Sequence, residues 1–372
     1  VTPSPSVPGS RVAGRLGLTE RVFAGAKSRK LMRTVEDGLT RVESALADEL
    51  RMTDPLVDAT TRYLYEAGGK RIRPMLVLLT CQLGDGVTDA VIESATALEL
   101  THLGSLYHDD VMDDADVRRG VPAAHSVWGN SIAILTGDLL FSRASQIMAR
   151  HGDRAIRLQA DTFERLVLGQ MHETIGAQPG DDPVAFYLQV LSDKTGSLIA
   201  AAAQSGVIFS NGPDEYRQPL VTFGEKAGVA FQLLDDVIDL SGDPDETGKV
   251  PGTDLRAGVP TMPYLLLGQR TDAASAALHA RIDAGVAEIA DGADPGILDE
   301  ALTALREHDA TAQTRELARQ WSLEAIAAIE PLPGGPVREA LTRFAEAVAD
   351  RSLTLLHGAG RTAAPDHSER TP

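Results

Sequence analysis

Two short acidic runs carry the clearest chemistry in the chain. Residues 108–114 read His108-Asp109-Asp110-Val111-Met112-Asp113-Asp114, and residues 235–239 read Asp235-Asp236-Val237-Ile238-Asp239. Apolar runs precede both, Ile92 to Tyr107 in the first case and Val229 to Leu234 in the second. On a continuing helix Asp109 and Asp113 fall one turn apart on one face, as do Asp110 with Asp114 and Asp235 with Asp239. Like charges at that spacing repel, so the helix gains nothing from them. A multivalent cation removes the conflict. Carboxylates with no cysteine partner select hard ions, Mg²⁺ in particular, which takes one or two carboxylates and completes its shell on substrate phosphates. Either run alone also suits a solvated helix end. Two copies of D-D-x-x-D, each ending an apolar helix, point instead to facing sites inside a bundle. Several ions held between them would grip an anionic ligand, most simply a diphosphate.

Cations sit where such an anion needs them. Gly68-Gly69-Lys70-Arg71-Ile72-Arg73-Pro74 sets three positive charges beside two glycines. Glycine lets backbone approach an anion, and arginine forks bind phosphate oxygens in pairs. Arg118 and Arg119 follow the first acidic run. Lys194-Thr195-Gly196 and Lys249 are weaker signals, since a lone lysine is more often a surface residue. His102 lies seven residues before Asp109, near the same helix face.

The elements that must hold these groups read as helices. From Leu31 to about Leu356 good helix formers dominate, and apolar residues recur three and four apart, as in Val35, Leu39, Val42, Leu46 and Leu50. Strand-like alternation is scarce, and the fold class expected is all-α, one large helical bundle. Two Gly/Pro-rich interruptions, Gly176 to Pro183 and Ser241 to Pro263, break the texture. A loop as long as the second is functional or disordered. Residues 1–30 read as a disordered, basic arm able to touch an anionic membrane surface, though a solvated face is the simpler reading. Residues 31–356 form the helical domain, and residues 357–372 a flexible tail.

Composition narrows the function classes. The chain has 372 residues with 35 Lys and Arg against 53 Asp and Glu, a formal charge of −18. So acidic a protein is a poor general nucleic-acid binder. A single cysteine, Cys81, excludes an internal disulfide framework and a cysteine zinc site, and suits a reducing compartment. The amino-terminal stretch lacks the apolar core of a secretory signal, and no apolar run is long enough to span a membrane. A cytoplasmic protein is expected.

Together the motifs resemble the trans-polyprenyl diphosphate synthases. The ordered set is GGKRIRP, HDDVMDD with RRG behind it, KTGSL at Lys194 to Leu198, FQLLDDVID at Phe231 to Asp239, and GK..GTDL at Gly248 to Leu255. The resemblance implies condensation of isopentenyl diphosphate onto an allylic diphosphate. It implies that Asp109, Asp110, Asp113 and Asp235, supported by Asp239, hold Mg²⁺ on the allylic diphosphate, and that Arg118, Lys194 and Lys249 contact it. Lys70, Arg71, His102 and Arg119 would bind isopentenyl diphosphate, with Arg73 a further candidate. Thr195 and Gln232 would face the reacting carbons. The resemblance also implies a homodimer. Two positions depart from the pattern: Val259 stands where a further lysine is common, and Gln170 where many relatives carry a carboxylate.

In this family bulky residues just before the first aspartate close the tunnel in which the product grows. Here those positions are Ser105 and Gly104, with Thr101 behind them. A helical turn rises about 5.4 Å, so missing side chains lengthen the path. The expectation is a medium or long all-trans product, about C30 to C50 by analogy within the fold, shortened by Gly104→Phe. Alternatives are a short-chain farnesyl or geranylgeranyl synthase and a class I terpene cyclase. A His-Asp phosphohydrolase lacks its extra histidines, and a di-iron bundle lacks a second Glu-x-x-His.

Overall fold

The computed structural model describes residue 22, residues 29–240 and residues 251–349. The arm over residues 1–21 and 23–28, Lys249 with the first ten residues of the long loop, and the tail lie outside the described residues.

Among the described residues the chain is helical apart from one two-stranded ribbon. In order, the helices are α1 (Arg29–Glu49), α2 (Pro55–Glu66), α3 (Ile72–Thr80) and α4 (Asp89–Met112). The ribbon β1 (Val117–Arg118) and β2 (Val121–Pro122) follows. Next come α5 (Ala124–Trp128), α6 (Asn130–Ala149), α7 (Asp153–Ile175), α8 (Pro183–Leu191), α9 (Ser197–Phe209) and α10 (Arg217–Asp239). Beyond the long loop lie α11 (Thr253–Arg256), α12 (Met262–Gly268), α13 (Ala273–Ala290), α14 (Asp299–Glu307), α15 (Asp309–Ala328) and α16 (Pro336–Ala349). The Gly176–Pro183 interruption separates α7 from α8, with Gly176 at φ 76 and Asp182 capping the next helix through the Val184 and Ala185 amides.

Two helices position the acidic runs. α4 is apolar nearly all round and is buried among α1, α3, α6 and α9, as a helix without a polar face must be. α10 packs against α9 on one side and α15 on the other. Its Phe223, Ala227 and Ala230 join one apolar core, and its Val229 and Leu233, with Leu240 just beyond its end, a second. A helix gripped on both sides fixes the height of whatever its carboxyl end carries. Both acidic runs sit at such ends, where the helix dipole is negative and further anions are disfavoured.

Between α8 and α9 the helix widens. Residues Ser192–Gly196 form a π turn, closed by the Ser197 amide on the Ser192 carbonyl. Single π turns of this kind recur at functional sites. In the β1–β2 ribbon Arg118 pairs with Val121, so Arg119 and Gly120 form a two-residue turn, at φ 54 and φ 78. Both values are left-handed, as a type I′ turn requires, and Arg119 is the residue for which that is unfavourable.

Candidate active site

At the first acidic run, α4 stops at Met112. Asp113 caps it with its amide on the Asp109 carbonyl at 2.8 Å, and Asp114 is left-handed at φ 47. The face shared by Asp110 and Asp114 therefore does not form. Asp110 is fully buried and accepts a 2.6 Å hydrogen bond from Arg118 Nε. Its position in the motif points it inward, onto the ribbon, where the hydrogen bond from Arg118 occupies one oxygen of the carboxylate expected to bind metal. Asp109 remains on the open side. Burial pushes its carboxyl up to about 6, with Asp113 adding and Lys194 and Arg118 opposing.

The second run repeats the division. Asp236 is buried, and its Oδ2 accepts from the Tyr187 hydroxyl and the Met262 amide, both at 2.9 Å. Burial pushes this carboxyl well above the usual range. Asp235 is only partly buried and lies within electrostatic reach of Lys70. Asp239 receives the chain returning from the long loop: its carbonyl accepts from the Gly252 amide at 2.7 Å, and its Oδ2 from Asp254 N at 3.3 Å.

Two sets of side chains join the runs. Lys194, in the π turn, pairs with Glu173 of α7 and faces Asp109 and Asp113. Burial works against its charged form, but Glu173 and Asp109 outweigh that and hold its pKa above the ordinary lysine value. The adjacent Thr195 hydroxyl donates to Gln232 Oε1 at 3.5 Å, one turn before Asp235. On the other side Lys70 faces Asp235 while Arg73, three residues on, faces Asp109.

Beside these lies a basic pocket. His102 is surrounded by Arg73, Arg119, Arg71 and Arg118, and burial followed by those charges drives its pKa well below normal. It is neutral at neutral pH. Arg119 donates to the Leu64 carbonyl at 2.8 Å and to the Gly68 carbonyl, which ties the ribbon to the end of α2. Arg71, also expected to bind isopentenyl diphosphate, is engaged within the protein. Its side chain is 1% exposed and locked to Glu43 Oε1 at 2.7 Å and Glu99 Oε1 at 2.9 Å, so it braces the pocket from behind. Arg73 is the better anion donor. Its Nε is buried with no partner, and burial lowers its pKa. Gly69, at φ 151, passes between the guanidinium groups; a Cβ there would lie 2.5 Å from Arg71 Nη1 and 3.0 Å from Arg119 Nη2.

The three residues expected to set product length are packed within α4 and its neighbours. A Cβ on Gly104 would lie 3.1 Å from both the Gly137 carbonyl and the Phe141 ring, so glycine there serves the close crossing of α4 and α6. Thr101 is fully buried and accepts from Gln159 Nε2 at 2.9 Å, and the Ser105 hydroxyl returns to the His102 carbonyl. His108 turns to the Ile134 carbonyl at 2.9 Å, away from the acidic run, which removes the phosphohydrolase reading.

The polyprenyl synthetase family model matches residues 54–291. The chain belongs to the polyprenyl synthetase family. It is a prenyltransferase. It is 41% identical over 345 residues to the nonaprenyl diphosphate synthase of Mycobacterium tuberculosis, covering 92% of this chain and 98% of that protein. It is 34% identical to heptaprenyl diphosphate synthase component 2 of Geobacillus stearothermophilus, over 85% of this chain and 97% of that one. Among solved structures it is similar to a Caulobacter crescentus polyprenyl synthase complexed with calcium and isoprenyl diphosphate. That similarity has a TM-score of 0.79 at 29% identity and covers 90% of this chain and 98% of the other.

Two residues of the prenyltransferase site escaped the sequence reading. Glu173, three residues after Gln170, holds Lys194. Glu99 is the buried counter-ion of the arginine pocket. The available signal is its place three residues before His102, the spacing of a Glu-x-x-His motif. The donors offered to a metal are all carboxylate oxygens, and among the described residues no three His, Cys, Asp or Glu side chains converge into a cage.

Proposed function

We propose that this prenyltransferase is a medium- to long-chain, all-trans polyprenyl diphosphate synthase, joining isopentenyl diphosphate head to tail onto an allylic diphosphate. The observation that carries the reading is the pairing of two carboxylate-bearing helix ends through Lys194, Thr195 and Gln232 on one side and Lys70 and Arg73 on the other. One half of that space is built for an anion bridged by cations, the other for an anion bound by side chains alone. Two diphosphates with different partners fit it.

Mg²⁺, held by Asp109, Asp113 and Asp235 with Asp239 in support, would supply positive charge to the departing diphosphate. Lys194 and Arg118, with Lys249 of the long loop, bind the same diphosphate and stabilise the charge it gains as its carbon–oxygen bond breaks. Lys70, Arg73, Arg119 and neutral His102 hold the diphosphate of isopentenyl diphosphate, Arg71 bracing them. Thr195 and Gln232 present oxygen dipoles to the allylic cation. The alkene attacks that cation, a carbon–carbon bond forms, and the released diphosphate takes the proton lost. Val259 offers no charge to the site, which leaves more of that contact to Lys194.

The exposed apolar side chains Ile134 and Leu135 on α6 and Leu168, Met171 and Ile175 on α7 support a homodimer. No helix among the described residues is long and apolar enough to cross a membrane. A cytoplasmic location is part of the same proposal; the basic amino-terminal arm, expected to be able to touch an anionic membrane surface, lies outside the described residues.

Incubating the purified protein with MgCl₂, isopentenyl diphosphate and a series of allylic primers tests the reading. Products longer than geranylgeranyl diphosphate are expected. A farnesyl or geranylgeranyl end point overturns the chain-length assignment, and diphosphate release without consumption of isopentenyl diphosphate identifies a cyclase.

A further inference from the structure

Three residues of α7, Arg165, Gly169 and Glu173, stand four apart and therefore share one face. That face meets the π turn. Glu173 holds the Lys194 ammonium. Gly169 admits the backbone: a Cβ there would lie 2.6 Å from Lys194 N. Arg165 spreads over the start of the turn. Its Nε donates to Asp193 Oδ1 at 2.9 Å, its Nη2 to the Ser192 hydroxyl at 3.3 Å, and its Nη1 to Glu225 of α10. Asp193 is thereby fully engaged, since Gln189 Nε2 donates to its other oxygen at 2.7 Å.

A π turn is a local departure from the helix and persists only where its surroundings impose it. Glycines at 169 and 228 shape the space, the latter because a Cβ there would lie 2.7 Å from Gly196 Cα. Shape alone does not fix the rotation of the turn. A planar fork reaching three partners on two flanking segments does. No contact of Arg165 involves the acidic runs, so it has no direct part in binding or chemistry.

We propose that Arg165 is a positioning residue: it clamps the π turn to α10 so that Lys194 and Thr195 are presented to the allylic diphosphate. The inference rests on the reading of Lys194 as a ligand of that diphosphate. Lysine at 165 keeps the charge but reaches one or two of the three partners, so it rescues in part.

The test compares Arg165→Met, Arg165→Lys, Lys194→Ala and the double variant R165M/K194A. Steady-state kinetics with both substrates is paired with calorimetric binding of inorganic pyrophosphate in MgCl₂. For R165M the KM for the allylic substrate rises and pyrophosphate binding weakens, each on the order of 10-fold, as expected for lost support of a contact group. The KM for isopentenyl diphosphate stays within about twofold, R165K falls between, and the double variant is no worse than K194A. Should R165M fail to fold, Asp193→Asn removes the charge that Arg165 grips and is expected to show the same one-sided KM change. Equal losses for both substrates, or a double variant whose defects multiply, overturn the positioning role while leaving the synthase reading intact. Wild-type behaviour of K194A overturns the Lys194 reading, and this proposal with it. A wild-type protein that consumes no isopentenyl diphosphate overturns the function itself.

Discussion

The two acidic runs have the same spelling and divide their labour the same way, yet they neutralise their inner aspartates by different means. Asp110 is buried against a cation, Arg118, which reaches it from the ribbon and is itself 30% exposed. Asp236 is buried against neutral donors, the Tyr187 hydroxyl and the Met262 amide. In both cases the inner carboxylate ties a helix end to a neighbouring segment, and the outer one, Asp109 or Asp235, is left facing a lysine across the site. D-D-x-x-D is thus two functions interleaved. One aspartate anchors, its neighbour is left open to the site and on our proposal works there, and the 100° step between consecutive helical residues separates them.

The sharpest break between the two roles is in turnover. Asp109→Asn and Asp235→Asn are expected to lower kcat/KM on the order of 10³-fold, about 4 kcal/mol of transition-state stabilisation. Asp110→Asn and Asp236→Asn keep an acceptor oxygen for their partners and should stay within about tenfold. If the inner pair proves as damaging as the outer at unchanged stability, the division is wrong.

Anchoring by charge is the more fragile arrangement. Arg118→Ala leaves Asp110 fully buried with both oxygens unmet, because its Oδ2 already lacks a partner. A buried carboxylate stripped of its cation costs about 3 kcal/mol or more. Asp110→Ala leaves an arginine that can turn to water, and should cost clearly less. Urea unfolding of both variants at pH 7.5 measures the asymmetry; equal losses would mean that Arg118 contributes through packing.

The working aspartates carry the opposite liability. Asp109 titrates at about 6 in the fold against an ordinary value of 3.8. A carboxyl with a raised folded pKa binds its proton more tightly in the native state, so it costs stability once pH exceeds that value and costs nothing below the unfolded value. Asp109→Asn should therefore raise unfolding free energy at pH 8 by about 3 kcal/mol, with the gain shrinking through pH 6 and nearly gone by pH 4. A gain that does not vary with pH assigns the effect to something other than ionisation. Stability given up at a working residue is a common feature of active sites.

Much of this was legible in residue types and order. The apolar runs before each acidic cluster become α4 and α10, and the Lys194-Thr195 and Gln232 signals come together in the structure. What could not be read was direction. GGKRIRP offers three cations, and which of them faces the ligand depends on Arg71 adopting φ 54, a backbone choice that residue type does not reveal. Gly104 reads as an absent obstacle in a tunnel, and residue type alone does not show that it is also the contact point of two helices. Arg165, Gly169 and Glu173 were visible as a stripe four apart, but nothing local said that a π turn lay opposite.

The smallest effect bears most directly on how the second run is built. Asp236 accepts both of its hydrogen bonds through Oδ2, so asparagine in the same rotamer keeps both by placing its carbonyl oxygen there. Burial raises the Asp236 carboxyl well above its ordinary value, and the substitution removes a group that is costly to ionise in place. Asp236→Asn should therefore change unfolding free energy by less than about 1 kcal/mol, whereas Asp236→Ala strands two buried donors at about 1–3 kcal/mol each. Asp110→Asn, whose partner is a cation, loses a charge-assisted bond, which is roughly twice as strong as a neutral one. The same conservative change at matched positions should then cost more at 110 than at 236. Equal costs would mean that the Arg118 charge does not matter to Asp110, and that both runs anchor through hydrogen-bond geometry alone.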